Sequence, residues 1–140
     1  MKWSRCIDVF DSSDHRDIYR TPGVYRIRAF GANGKPLPIK RFAAIDYEGI
    51  LHIGKSKRLG LRIRTFRQAA QGLRGAHQAG REYRLWKFGR KIPSKSLRYD
   101  YFITSNEREA LVLERALHKE YRLKFLDRPP LDGTSGQETE

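Results

Sequence analysis

Thr21-Pro22-Gly23-Val24-Tyr25, and then Leu51-His52-Ile53-Gly54-Lys55-Ser56-Lys57-Arg58-Leu59-Gly60-Leu61-Arg62, decide how this chain folds. Pro22 and Gly23 punctuate the chain before a strand. From Val24 to Phe30 the side chains alternate, with Val24, Arg26 and Arg28 on one face and Tyr25, Ile27 and Ala29 on the other. Ile50 to Ile53 is a second short strand. From about Lys57 the period changes. Leu59, Ile63, Phe66 and Ala70 recur at helical spacing as one apolar stripe, with Arg58, Arg62, Arg64 and Arg67 over the rest. Gly60 weakens the first turn by about 1 kcal/mol relative to alanine.

Outward from that stretch, Gly31-Ala32-Asn33-Gly34 reads as a turn and Lys35-Pro36-Leu37-Pro38 as extended loop. Phe42 to Ile45 is a third short strand candidate. Gly72 and Gly75 break the first helix, and a second runs from about His77 to Phe88, closed by Gly89. Leu97 to Thr104, rich in Tyr and Phe, is a strand. Asn106 to Lys124 is the clearest helix: Asn106 suits an N-cap with Glu109 reaching back, and Leu113, Leu117 and Tyr121 are four apart. Pro129-Pro130 forbids further helix. Residues 1–20 have no clear period and read as an N-terminal extension. Residues 21–133 form the domain, and 134–140 a flexible polar tail. The predicted architecture is α/β: a small mixed, mainly antiparallel three-stranded sheet flanked by helices.

A chain of 140 residues, 39% hydrophobic and 11% aromatic, is one ordinary domain and not a disordered segment. No apolar run is long enough to span a bilayer, and residues 1–14 contain no hydrophobic signal segment, so a cytoplasmic protein is expected. The single Cys6 excludes an internal disulfide and a multi-cysteine zinc site. Net charge is +13 and uneven. Residues 54–95 carry thirteen Lys/Arg against Glu82 alone, whereas 127–140 carry four acids and only Arg128. So one-sided a surface favours a polyanion, nucleic acid first. Lys57, Arg58, Arg64, Arg67, Arg74 and Arg81 are the candidate contacts. Phe66, Tyr83, Trp86 and Phe88 are read first as core and only second as base-stacking platforms.

Three residues attract attention for their chemistry. Glu114 has Ala110, Leu111, Leu117 and His118 as its helical neighbours. A carboxylate beside a packed stripe is costly unless paired, by His118, by an arginine or by a bound cation. Arg62 borders the apolar stripe of its helix and can reach along the core edge. Tyr25, taken alone, is an ordinary strand tyrosine.

Together these motifs resemble the signature of the GIY-YIG nucleases. Gly23-Val24-Tyr25 matches the first half, Gly-Ile/Val-Tyr; His52-Ile53-Gly54 stands where Tyr-Ile/Val-Gly is expected. Arg62 follows Gly54 by the required eight residues. Glu114-Arg115-Ala116-Leu117-His118-Lys119 is close to the late-helix pattern Glu-x-x-Leu-Ile-Lys. Asp132, after Pro129-Pro130, stands where that family has asparagine. The resemblance spans residues 22–133. It departs at His52, at Asp132, and in the 26 residues between Tyr25 and His52, a longer insert than in compact members.

The resemblance implies a DNA endonuclease dependent on one Mg2+ or Mn2+ held by Glu114. Arg62 neutralises charge on the phosphoryl oxygens, and Lys55 positions water or phosphate. Tyr25 is the general base as a phenolate; its ordinary pKa of about 10 must be lowered by Arg62, Lys55 and the metal. His52 is a hydrogen-bonding partner, a base itself, or the mark of a weakened site. Asp132, if near Glu114, strengthens metal binding. The alternative is a catalytically weakened DNA-binding module on the same fold. An RNA-associated protein would account for the charge and the aromatics but for none of the spacings. Target recognition falls to the 31–49 insert, to 72–95, to a homodimer or to a partner protein.

Overall fold

The computed structural model describes residues 1–73 and 76–132. Its centre is β2, Gly23–Ala29, with β5, Ile50–Ser56, on one side and β6, Leu97–Ile103, on the other, both antiparallel. These are the three strands expected. A fourth, β1 at Ile7–Asp8, extends the sheet to the order β1-β6-β2-β5. The segment read as an N-terminal extension therefore contributes a strand, and Ile7, Val9 and Ile18 are buried. A two-residue strand is too short for any period to reveal.

Phe42 to Ile45 does not form the strand expected of it. Phe42 is 74% exposed. The insert instead makes a small separate pair, β3 at Ile39–Lys40 with β4 at Ile45–Asp46. Buried Asp46 holds its return, accepting from the backbone N–H of Glu48 at 2.9 Å, that of Ile50 at 3.1 Å and the Tyr121 hydroxyl at 3.0 Å.

Helix α1, Leu59–Ala70, and α2, Gln78–Leu85, cover the Tyr25 face of the sheet. Leu59, Ile63, Phe66, Ala79 and Tyr83 pack there with Tyr25, Ile27 and Leu51. Arg58 offers no capping side chain. The first N–H groups of α1 are taken instead by carbonyls of the preceding segment, Leu59 to Thr21 at 2.8 Å and Leu61 to Tyr19 at 3.4 Å. Gly60 has its reason here, since a Cβ would meet Tyr19 Cα at 2.6 Å and the carbonyl of His15. What looked like a weak first turn is a close approach between two segments.

Helix α3, Glu107–Phe125, covers the opposite face. Asn106 caps it by accepting from the Glu109 N–H at 2.9 Å. Ala110, Tyr121 and Phe125 pack with Val24, Ile50 and Ile53. The buried stripe of α3 also contains Glu114 and His118. No helix among the described residues is long and apolar enough to cross a membrane.

Candidate active site

Strand β5 ends the sheet, and both helical layers reach around it. Between Ile27 and Arg28 the β2–β5 register slips: Ile27 faces His52, and Arg28 faces Ile50. The extra residue, Leu51, is brought into the core on the Tyr25 side, where His52 already lies opposite Ile27. A bulge that re-aims one side chain is a familiar device beside reactive groups. The closing segment then docks on this edge: Leu131 N–H donates to Leu51 O at 2.8 Å and Ile53 N–H to Asp132 Oδ2 at 3.2 Å.

A cavity of about 80 Å³ opens there. Tyr25, His52, Lys55, Arg62 and Glu114, drawn from two strands and two helices, all line it, together with His118 and Asp132. Lys55 contributes to the wall, but its ammonium pairs with Glu107 at 3.2 Å. Arg62 donates to the Ala76 carbonyl at 3.1 Å. Glu114 is 4% exposed. The nucleic-acid candidates lie elsewhere. Lys57, Arg58, Arg64 and Arg81 are exposed, Arg67 is half-buried, none lines the cavity, and Arg74 lies outside the described residues. A second, open groove of about 720 Å³ shares Glu114 and His118 and continues past Arg115, Lys119, Arg122 and Arg128. It adds a basic track that the 54–95 charge count did not suggest.

Tyr25 differs from expectation in its ionisation. Burial pushes the phenol well above its ordinary value; the charge and hydrogen bond of Arg62 pull it back only in part, and Glu114 and Asp132 push it further up. Lys55, spent on Glu107, is not among the groups that lower it. Asp132 is hydrogen-bonded through both carboxylate oxygens, Oδ1 to His52 Nδ1 and Oδ2 to the Ile53 N–H. His118 Nε2 meets the Ile53 carbonyl at 2.9 Å, and its Nδ1 stands 3.7 Å from Asp132.

His77, read from sequence only as the start of a helix, lies at the heart of the site. Its Nε2 is 2.7 Å from the Tyr25 hydroxyl, and its Nδ1 accepts from the Gly80 N–H at 3.3 Å as the N-cap of α2. The one available signal was its place just before a helix. Burial, then His52 and Arg62, hold its pKa well below the ordinary 6.5. The unfolded ring therefore binds a proton where the folded ring does not, so stability falls as pH drops below about 6.5 and is unaffected above it. His77→Asn keeps a capping acceptor and cannot titrate. Urea unfolding between pH 7 and pH 5 should show a loss in the wild type of up to about 1.4 kcal/mol per pH unit beyond that in His77→Asn. Equal losses in the two proteins would refute the assignment.

Gly54 allows Tyr25 to cross β5. A Cβ there would meet Tyr25 Oη at 2.6 Å and His52 Nε2 at 2.7 Å. Gly54→Ala should destabilise the fold by about 1–3 kcal/mol and disrupt the Tyr25–His52 contact. Denaturation midpoints check this, and an unchanged midpoint would count against it.

No family model and no curated protein sequence matches this chain. Among solved structures the chain is similar to the GIY-YIG N-terminal endonuclease domain of UvrC from Thermotoga maritima, bound to magnesium, its catalytic divalent cation. The identity is 23% and the TM-score 0.43, over 86% of this chain and 97% of that one.

Proposed function

We propose that this chain is a metal-dependent endonuclease that hydrolyses phosphodiester bonds in DNA. One observation carries the reading: a tyrosine, two basic residues, a histidine and a buried carboxylate, scattered over ninety residues of sequence, line a single cavity. Phosphodiester hydrolysis needs such a set: a proton acceptor for water, cations for the charge at phosphorus, and a carboxylate for a metal.

Among the described residues no cluster of three or more His, Cys, Asp or Glu could hold a metal. The reading takes Mg2+ or Mn2+, hard cations that keep waters and need few carboxylates, with Glu114 as the protein ligand. The ion would supply charge stabilisation at the leaving oxygen. Arg62, a planar donor at the cavity wall, binds the phosphoryl oxygens. Tyr25 receives the proton of the attacking water, and Lys55 helps hold the phosphate backbone once DNA displaces Glu107. The groove past Arg115, Lys119 and Arg122, with exposed Lys57, Arg58 and Arg64, supports a polyanionic substrate. A cytoplasmic location belongs to the same reading, as does target choice by the 31–49 insert, a homodimer or a partner protein.

The test is plasmid cleavage with Mg2+ or Mn2+, quenched by chelator, over duplex, nicked, flapped and branched DNA. The strongly up-shifted Tyr25 phenol favours one second reading, a catalytically weakened DNA-binding module. Salt-sensitive binding without cleavage under either metal would select it.

A further inference from the structure

We propose that Tyr25, His52 and Asp132 form a proton relay, in which His52 Nε2 takes the phenolic proton while Tyr25 takes one from the attacking water. The proposal rests on the hydrolytic reading above and explains how a buried phenol can serve it. Donor and acceptor roles follow one from the next, beginning at a group with no choice. The Gly80 N–H can only donate, so His77 Nδ1 carries a lone pair. The neutral His77 ring then carries its proton on Nε2 and donates it to Tyr25 Oη at 2.7 Å. The hydroxyl hydrogen of Tyr25 is left to point at His52 Nε2, 3.0 Å away. His52 must then be protonated on Nδ1, which donates to Asp132 Oδ1. The Ile53 N–H fixes the other carboxylate oxygen at 3.2 Å. The chain of hydrogen bonds runs one way, from the α2 backbone to a carboxylate, and its accepting end is an imidazole backed by that carboxylate.

In the reaction, the water oxygen bonds to phosphorus as its proton passes to Tyr25 Oη. The proton already on Tyr25 passes to His52 Nε2, and the imidazolium is stabilised by Asp132. The phosphorus bond to the leaving oxygen breaks, and that oxygen takes a proton from solvent. His52 later returns its proton to solvent through Tyr25, leaving the net consumption of one water. No standing phenolate is required. Arg62 lines the same cavity, and its charge favours release of the Tyr25 proton.

The tautomers can be read without DNA or metal. Nitrogen NMR of the wild-type imidazoles at mildly alkaline pH should find the proton on Nδ1 in His52 and on Nε2 in His77. The opposite tautomer in either ring overturns the relay. Asp132→Asn should reverse the His52 tautomer and lower kcat by about 100- to 10,000-fold with KM little changed. An unchanged kcat overturns the relay. His52→Gly should lose as much and recover with added imidazole, faster with more basic imidazoles. Recovery indifferent to basicity makes His52 a spacer and overturns the proposal. Should His52→Gly fail to fold, the wild-type NMR still decides. A wild type inert with both metals overturns the nuclease reading and the relay with it; a wild type that cleaves beside an equally active Asp132→Asn overturns the relay alone.

Discussion

Glu114→Gln should abolish cleavage while leaving DNA binding intact. The substitution keeps the shape of a side chain only 4% exposed and removes its charge. On the proposed reading this carboxylate is the one protein ligand of the metal, since Asp132 is committed to His52 and Ile53. With no second carboxylate to share the ion, one charge should decide its affinity. We expect a fall in kcat/KM of at least about a thousand-fold, near 4 kcal/mol of transition-state stabilisation. DNA affinity in chelator should hold or rise, because one negative charge is lost beside the polyanion. A second readout needs no substrate. A metal bound only to the folded wild type raises its stability by about 2.7 kcal/mol at one hundred times its dissociation constant, and the variant should show no such rise. A variant that cleaves like the wild type, or is equally stabilised by Mg2+, would remove Glu114 from the role.

How much of this was legible in the sequence depended on the kind of signal each residue gave. Helix α3 was plain because Asn106, Glu109 and the four-residue spacing of its apolar stripe all agree. Strand β2 was plain because alternation over seven residues fits only a strand. Phe42 to Ile45 misled because hydrophobicity without a partner strand is not enough: its neighbours turn back on Ile39–Lys40 and leave Phe42 in solvent. Tyr25, Arg62 and Glu114 could be named only through the family resemblance that their spacings carry. His77 could not, since a histidine before a helix has no spacing to betray its reach to Tyr25.

His52 and Asp132 are the instructive case. In the sequence they are two separate departures from a motif, eighty residues apart. In the fold they are hydrogen-bonded to each other, and His52 is hydrogen-bonded to Tyr25. A histidine in place of a tyrosine gains a ring nitrogen that needs an acceptor, and an aspartate in place of an asparagine supplies one. Taken alone, His52 left three roles open, and Asp132 pointed to metal binding beside Glu114. Paired, they describe a different but self-consistent set of hydrogen bonds around the same phenol. No linear reading could join them, because His52 meets Asp132 only where the closing segment docks on the edge of β5.

The other large effect lies on the far face of β2, away from the cavity. Arg26 and Asp100 face each other in the β2–β6 ladder. Arg26 donates to Asp100 through Nε at 2.9 Å and through a terminal nitrogen at 2.5 Å, a fork-on-fork pair, while Arg28 reaches the same carboxylate at 3.1 Å. Asp100 is 1% exposed, and Trp3 lies 3.9 Å from the Arg26 guanidinium carbon, sealing the pair from water. Asp100→Ala would leave two guanidinium groups at a sheet face without their shared counter-charge. Breaking a buried pair on one side typically costs about 3–5 kcal/mol, a large share of the ~5–15 kcal/mol that holds a domain together. Glu48, itself exposed and 3.6 Å from Arg26, is the matched control. Glu48→Ala should cost less than about 1 kcal/mol, because water already screens that contact. Urea unfolding of both variants gives the comparison. Because Arg26 and Tyr25 point to opposite faces, Asp100→Ala should keep its cleavage rate per folded molecule even as the folded fraction falls. Equal costs for the two variants would mean that Asp100 stabilises the sheet no more than a surface contact does.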